Sequence, residues 1–321
     1  RKMPEGQELR LAVSGAELSR RYYFDCCRPL LQERFGQYMD ALTVGLAGEG
    51  SECFGFDDLL SMDHDYGPSL CIWLSDGLYG EIGGALAQLY ASLPQEYLGV
   101  RYKYRRWQAA ARRGVMRTGD FYMKFLARRD APGTPREWLA IPETYLAAAT
   151  NGALFHAPDT EFVRTREKLL AFYPEDVRRK KLAANLVRMA HAGQVNYFRM
   201  AQRRDAVAAR LALDQFIEHA MRALYLLNGQ YCPYYKWMWR GLERLPCQAG
   251  LPALLCELAG VGALDAGDAE PIIGAVCASV IALLHEQGLS DLEDGYLERQ
   301  AYAVTGGIKN PEIKNLPVLM G

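Results

Sequence analysis

The chain has 321 residues, 50% hydrophobic and 23% charged, which excludes collagen-like, low-complexity and disordered classes. A formal net charge of −1 supplies no global field for nucleic acid or an anionic membrane, so any polyanion must be met by a local patch. The eight cysteines are scattered, apart from the adjacent Cys26-Cys27, and lack zinc-finger spacing; they read as small buried hydrophobes of a reducing compartment. The longest apolar run, around 271–284, falls short of a bilayer span, and no signal-peptide pattern is seen. The expectation is a cytoplasmic protein with no membrane partner and no stable nucleic-acid partner.

Ser14-Gly15-Ala16-Glu17 has the form of a capping box, and Leu18, Tyr22, Cys26, Pro29 and Leu30 follow at roughly helical spacing, predicting a helix over 15–33. The run ALTVGLA (41–47) is a short buried strand feeding a turn at Gly48 and Gly50, and SLCIWL (69–74) is a second strand. Residues 78–93 form an amphipathic helix stopped by Pro94, and Gly114-Val115-Met116 suits a third strand. DAPGTPR (130–136) is the clearest linker. From about 142 to 284 the periodicity is almost wholly helical, with shorter helices and loops over 250–268. The tail 305–321 lacks periodicity. The division expected is 1–135, a small α/β domain with an N-terminal helix, and 136–321, a helical domain with a tail.

The chemistry concentrates in GEGSECFGFDDLLSMDHDYG (48–67). Acids one residue apart on a strand share a face, so Asp63 and Asp65 can together hold two Mg²⁺ ions, which take oxygen ligands and bind substrate phosphates. Two metals stabilise the attacking and leaving oxygens of an in-line displacement. Upstream, Gly50 lets the backbone approach a triphosphate, and N–H groups with the Ser51 hydroxyl can bind its oxygens. The ordinary alternative is a solvated turn, since Asp favours turns before Gly-Pro. Asp57 and Asp58 read instead as caps for a helix starting at Leu59. His64, turned to the opposite face by the alternation, reads as a structural hydrogen-bonder.

Gly50-Ser51, the spacer and Asp63-His64-Asp65 resemble the signature of the DNA polymerase β-like nucleotidyltransferase superfamily. GEGSECFGFDD…DHDYGP, GQVNYFR (193–199) and LNGQYCPYYKW (227–237) together look like a bacterial family, domain of unknown function 4037. The resemblance implies an α+β fold: a small mixed-sheet nucleotidyltransferase domain followed by an all-helical substrate-binding domain, as in aminoglycoside nucleotidyltransferases. It implies transfer of an NMP, AMP foremost, from ATP or another NTP to a hydroxyl or amine of a small-molecule acceptor. The alternatives are protein AMPylation and a non-catalytic nucleotide sensor or interaction protein on the same fold. Tyr66-Gly67-Pro68 interrupts the usual passage from Asp-x-Asp into a strand. The superfamily's third carboxylate has no clear counterpart, with Asp120 the nearest acid and Asp214 or Glu218 open as the base.

Elsewhere, Asn185, Arg188, Ala192, Asn196, Arg199 and Arg203 recur at three- and four-residue steps as a mostly polar stripe, provided Gly193 does not break the helix. Gln194, Asn196 and Arg199 are candidates to bind substrate. Lys236 can reach a phosphate as a point charge and Tyr235 can stack on a base, against the plain reading of a packed helix start after Pro233. Arg105-Arg106, Arg112-Arg113 and 178–181 read as solvated basic faces. A HEPN-type RNase, which needs Arg and His separated by four to six intervening residues, is not met by any of the five histidines.

Overall fold

The computed structural model describes residues 13–63, 66–101 and 112–321, the side chains of Met62 and Asp63 excepted. The chain divides into two compact units, the first holding residues up to Ala131 together with Tyr145–Ala171, the second holding Pro132–Thr144 and Phe172–Gly321.

In the first unit, α1 (Gly15–Tyr22) continues through a π turn at Tyr23–Cys27 into α2 (Arg28–Phe35), close to the predicted span. Ser14 caps it by accepting from Glu17 N at 3.2 Å, while the Glu17 carboxylate takes Arg20 and Arg21. Strand β1 (Leu42–Leu46) is buried along its length and pairs antiparallel with β2 (Cys71–Leu74). After α3 (Ser51–Phe54) and α4 (Asp76–Ser92) comes a minimal ladder of β3 (Glu96–Tyr97) and β4 (Val100–Arg101). Strand β5 (Gly114–Arg117) runs parallel to β2 and leads into α5 (Thr118–Leu126). With β6 (Ala153–His156), the sheet order β5-β2-β1-β6 is mixed, as expected for an α+β chain.

Both faces of this sheet are covered, which explains why its strands read as continuous apolar runs rather than alternating ones. Leu42, Val44, Ile72 and Leu74 join Tyr22, Tyr23, Cys27 and Leu31 of the N-terminal helix and Ile82, Leu86 and Leu89 of α4 in one core. Trp73, pointing the other way, stacks on Phe162 at 3.9 Å between ring centroids.

The fourth strand, β6 (Ala153–His156), pairs antiparallel with β1 and falls in a stretch that sequence periodicity assigned to helix. Consequently the 1–135/136–321 division gives way to a chain that enters the second unit at Pro132, inside the expected linker, and returns at Tyr145 to supply β6. Gly45 permits the approach, because a Cβ there would meet the Ala153 carbonyl at 2.5 Å.

The second unit is helical: α6 (Pro135–Ala140), α9 (Glu175–Met189), α10 (Tyr197–Gln202), α11 (Ala206–Leu227), α12 (Tyr235–Leu242), α13 (Leu251–Gly260), α14 (Ala266–Glu286), α15 (Leu297–Gly306) and α16 (Pro311–Lys314). The helices α7 (Glu143–Thr150) and α8 (Glu161–Leu170) precede α9 in the chain. Helix α14 is longer than its apolar run suggested, and among the described residues it is the one helix long and apolar enough to cross a bilayer by length and composition. It also carries Asp268 and Glu270, and its buried residues include Ile272, Val276, Val280 and Leu284.

Between α9 and α10 the chain forms a π turn, Ala190–Asn196. Gly193 allows it, because a Cβ would lie 2.3 Å from the Phe216 ring of α11. The wide turn shifts the helical phase. The expected polar stripe is therefore not one face: Asn185 and Ala192 are buried, Arg188 half-buried, and Asn196, Arg199 and Arg203 exposed.

Candidate functional site

The turn after β1 is held by two side chains. Asn151 grips Gly48 twice, its Oδ1 accepting from Gly48 N at 2.8 Å and its Nδ2 donating to Gly48 O at 2.7 Å. Arg113, at the entry to β5, donates to the Glu49 carbonyl at 2.9 Å and to Glu52 Oε1 at 2.5 Å. Gly50 adopts φ 118°, and a Cβ there would meet the Glu52 carboxylate at 2.5 Å. Glycine is thus required at position 50 by backbone conformation and by space. Ser51 opens α3 and is buried.

Beside this turn lies a cleft of about 270 Å³, walled by Ala47, Gly48 and Glu49 of the turn and by Tyr79, Arg112, Arg117, Asp120 and Lys124. Gly50 and Ser51 themselves are not among its lining residues. Its cations are gathered by acids. The Glu49 carboxylate lies 2.9 Å from Arg112 and 2.7 Å from Lys124, and Arg117 sits 3.7 Å from Asp76 and 4.4 Å over the Tyr79 ring. Burial works to raise the Glu49 pKa, but the Lys124 hydrogen bond and the charges of Lys124, Arg112 and Arg113 outweigh it and hold the carboxyl below its ordinary range. Arg113 is buried in an ion pair, so the Arg112-Arg113 cluster is not the solvated face its sequence suggested.

Asp63 ends a 3-10 turn, Leu59–Asp63. Its side chain, together with His64 and Asp65, lies outside the described residues, as do Arg105 and Arg106. Asp58 caps that turn as expected, accepting from Leu60 N at 3.0 Å and Ser61 N at 3.2 Å. Asp57 caps elsewhere, accepting from Gly15 N at the start of α1 at 2.6 Å. Asp120, the acid nearest the missing third carboxylate, pairs with Arg129 at 2.7 Å. Among the described residues no group of three or more His, Cys, Asp or Glu is placed to hold a metal ion.

The remaining candidates belong to the helical unit. Gln194 spends both ends of its amide on the chain before α15, donating to Gly295 O at 2.8 Å and accepting from Leu297 N at 3.0 Å, so its place is structural. Asn196 and Arg199 are exposed, and Asp214 pairs with Arg210 at 2.6 Å on the surface of α11. Lys236 lies 4.7 Å over Trp237, with Tyr235 83% exposed beside it.

The helical unit also holds a polar cleft of about 350 Å³ that sequence spacing did not single out. Lys181, Asn185 and Arg188 line it from α9, Glu218, His219 and Arg222 from α11, and Glu143 from the start of α7. The Asn185 amide bonds His219 Nδ1 at 2.9 Å and Glu143 accepts from Cys232 N at 3.1 Å. Burial raises Glu143 to about 7 despite the Cys232 hydrogen bond and the charges of Lys181 and Arg222. Burial, aided by Arg188 and Arg222, lowers His219 to about 4, so its imidazole is neutral. The signal present in the sequence was the i, i+4, i+7 spacing of Lys181, Asn185 and Arg188, of which only the last two entered the polar stripe. Lys180 and Lys181 are both buried, so 178–181 is not a solvated basic face either.

Compared with known proteins, residues 138–238 match the family model described as "Domain of unknown function (DUF4037)", which bears out the family resemblance over that segment. The segment contains GQVNYFR and LNGQYCPYYKW and leaves the Gly50-Ser51 turn outside. No curated protein matches the chain. A nucleotidyltransferase-like protein from Exiguobacterium sibiricum, solved in a crystal structure at 1.90 Å resolution, is 11% identical over 87% of this chain and 88% of that one, with a TM-score of 0.34. A likeness of that size carries no inference about this chain.

Proposed function

We propose that the first unit binds a nucleoside triphosphate and transfers its nucleotidyl group, AMP foremost, to a hydroxyl or amine of a small acceptor. The observation that carries this reading is the cleft beside the clamped Gly48–Ser51 turn, where Arg112, Arg117 and Lys124 line one small space with Gly48 and Glu49. Three cations in a small cleft are suited to a polyphosphate, and the fixed turn brings backbone groups within reach of its oxygens without reorganisation.

Two carboxylates one residue apart, Asp63 and Asp65, are the donor chemistry that a hard divalent cation takes. They would hold Mg²⁺, which when bound neutralises phosphate charge. The chain's own contribution is positional: the Asn151 and Arg113 clamps keep the turn in one conformation, and Arg112, Lys124 and Arg117 orient the phosphates. An acceptor oxygen or nitrogen attacks the α-phosphorus, the bond to the bridging oxygen breaks, and pyrophosphate leaves. Fixed geometry and preorganised charge supply most of the rate in chemistry of this kind.

The test is calorimetric titration of a non-hydrolysable ATP analogue into the full chain, with and without Mg²⁺, beside Asp63→Asn/Asp65→Asn. Mg²⁺-dependent binding that disappears in the variant supports the reading. Binding that is unchanged in the variant, or absent from folded wild type, overturns it.

A further inference from the structure

The polar cleft of the helical unit is built as a binding site in its own right. It lies between two helices that face each other through side chains at helical spacing, Lys181, Asn185 and Arg188 on one and Glu218, His219 and Arg222 on the other. Both helices belong to the segment that matches the family model.

Its electrostatics are uneven. Lys181 is only 9% exposed; its ammonium lies 5.3 Å over the Tyr173 ring, and burial lowers its pKa while the charge of Glu143 works to raise it. A cation taken out of water is costly, and an arriving anion would relieve part of that cost. Arg188 points one arm of its guanidinium at the Leu319 carbonyl, 2.8 Å away, with no acid paired to it among the described residues. Arg222 is shared with Glu218 at 2.9 Å and lies 3.9 Å from Glu143. Three cationic side chains therefore face two side-chain carboxylates, and one of those, Glu143, is held partly protonated near neutrality by its burial.

His219 adds a second element. Its Nδ1 bonds the Asn185 side-chain oxygen, and in the neutral ring that bond makes Nδ1 the donor and leaves Nε2 as a lone-pair acceptor. The Asn185 amide is fixed in turn by donating to the Lys181 carbonyl at 2.9 Å. The cleft thus offers cations for an anionic group and an oriented acceptor for a hydroxyl, in about 350 Å³. That volume lies at the lower end of small-molecule sites.

We propose that this cleft binds a small hydroxylated anion, a phosphorylated polyol or a hydroxy acid, with Lys181, Arg188 and Arg222 holding the phosphate or carboxylate and His219 Nε2 accepting from a hydroxyl. The site goes beyond the nucleotide reading and does not rest on it. The positive charge comes from side chains of the helical unit alone.

The experiment is calorimetric titration of glycerol 3-phosphate and of glycerate into the full chain, with glycerol and inorganic phosphate as partial probes. Wild type is expected to bind at least one of the two complete probes more tightly than either partial one, and the pair distinguishes phosphate from carboxylate as the anionic group. Arg188→Gln and His219→Gln should each weaken binding about tenfold, the loss of one charge-assisted or oriented hydrogen bond. Glu218→Gln removes the acid that competes for Arg222 and should tighten binding, a gain that misfolding cannot imitate. Asp63→Asn/Asp65→Asn should leave it unchanged. The proposal is overturned if neither complete probe binds wild type, if binding survives Arg188→Gln and His219→Gln together, if Glu218→Gln does not tighten it, or if the aspartate variant abolishes it.

Discussion

Arg113 and Glu52 form an ion pair of 2.5 Å with their side chains only 2% and 5% exposed, and the same arginine nitrogen holds the Glu49 carbonyl. The pair ties the entry of β5 to the turn that follows β1. Removing one partner of a buried pair leaves an uncompensated charge, at a cost on the order of 3–5 kcal/mol. Arg113→Met should therefore lower the melting temperature of the full chain sharply. Arg113→Met with Glu52→Gln should recover much of the loss, because no buried charge is then stranded. Thermal denaturation of the three proteins decides it. A double variant as unstable as Arg113→Met alone would mean that packing around the guanidinium, not the charge pair, holds the turn.

The π turn at Ala190–Asn196 depends on Gly193 lying flat against Phe216, which a Cβ would approach to 2.3 Å. Phe216 is fully buried, so its ring cannot swing away without disturbing its neighbours. Gly193→Ala should destabilise the chain by about 1–3 kcal/mol, the usual range for overpacking a core. Phe216→Leu costs stability alone through a cavity, yet in combination it should make room for the added methyl. The double variant is expected to be more stable than the sum of the two single losses predicts, as neighbours in contact couple. Simple additivity in urea denaturation would show that clearance from Phe216 is not what requires the glycine.

Much of the first unit was legible in sequence because its signals are local. Ser14, Gly48 and Pro94 punctuate short apolar runs, and β1, β2 and β5 emerge where those runs predict strands. Strand β6 escaped because four residues amid helical periodicity carry no pattern of their own, and only their pairing with β1 makes them a strand. The polar stripe failed for a different reason: a phase of 3.6 residues cannot be carried across a π turn, so Asn185 and Arg188 parted from Asn196 and Arg199. The helical cleft was invisible because Glu143 arrives from a distant helix to meet Lys181 and Arg222. Gln194, singled out by motif, proved to be occupied by Gly295 and Leu297, a contact that no sequence spacing encodes.

Glu49 neutralises the cations that the nucleotide reading requires, lying 2.9 Å from Arg112 and 2.7 Å from Lys124. A phosphate entering the cleft has to compete with that carboxylate. Partly exposed pairs of this kind are worth about 0–1 kcal/mol, so removing the acid should tighten binding of an ATP analogue about two- to fivefold. Glu49→Gln keeps the side chain's size while abolishing its charge. Lys124→Ala should act in the opposite direction. If neither variant changes the dissociation constant, the phosphates do not meet this cleft, and the reading of the first unit loses its electrostatic support.

Glu143 and His219 titrate in opposite senses within one cleft, and their effects on stability should cancel over a defined window. Burial lowers His219 from 6.5 to about 4, so the unfolded chain binds a proton there that the folded chain refuses, and stability falls as pH drops through 6.5 toward 4. Burial raises Glu143 from 4.5 to about 7, so the folded chain keeps a proton that the unfolded chain releases, and stability falls as pH rises through 4.5 toward 7. Between 4.5 and 6.5 the two slopes have opposite signs and largely offset each other in the wild-type cleft. Each single variant should expose the other slope. In Glu143→Gln the melting temperature should rise with pH across this window, and in His219→Gln it should fall, relative to wild type. The underlying change is about 2–3 kcal/mol in each case, roughly 1.4 kcal/mol for every pH unit. The charges facing the pair, Lys181, Arg188, Arg222 and Glu218, remain in both variants, so their background is shared. Thermal unfolding at half-unit steps from pH 4.5 to 7 separates the curves. Two variants that run parallel to wild type would mean that solvent reaches both groups and that the cleft holds neither in the charge state its burial dictates.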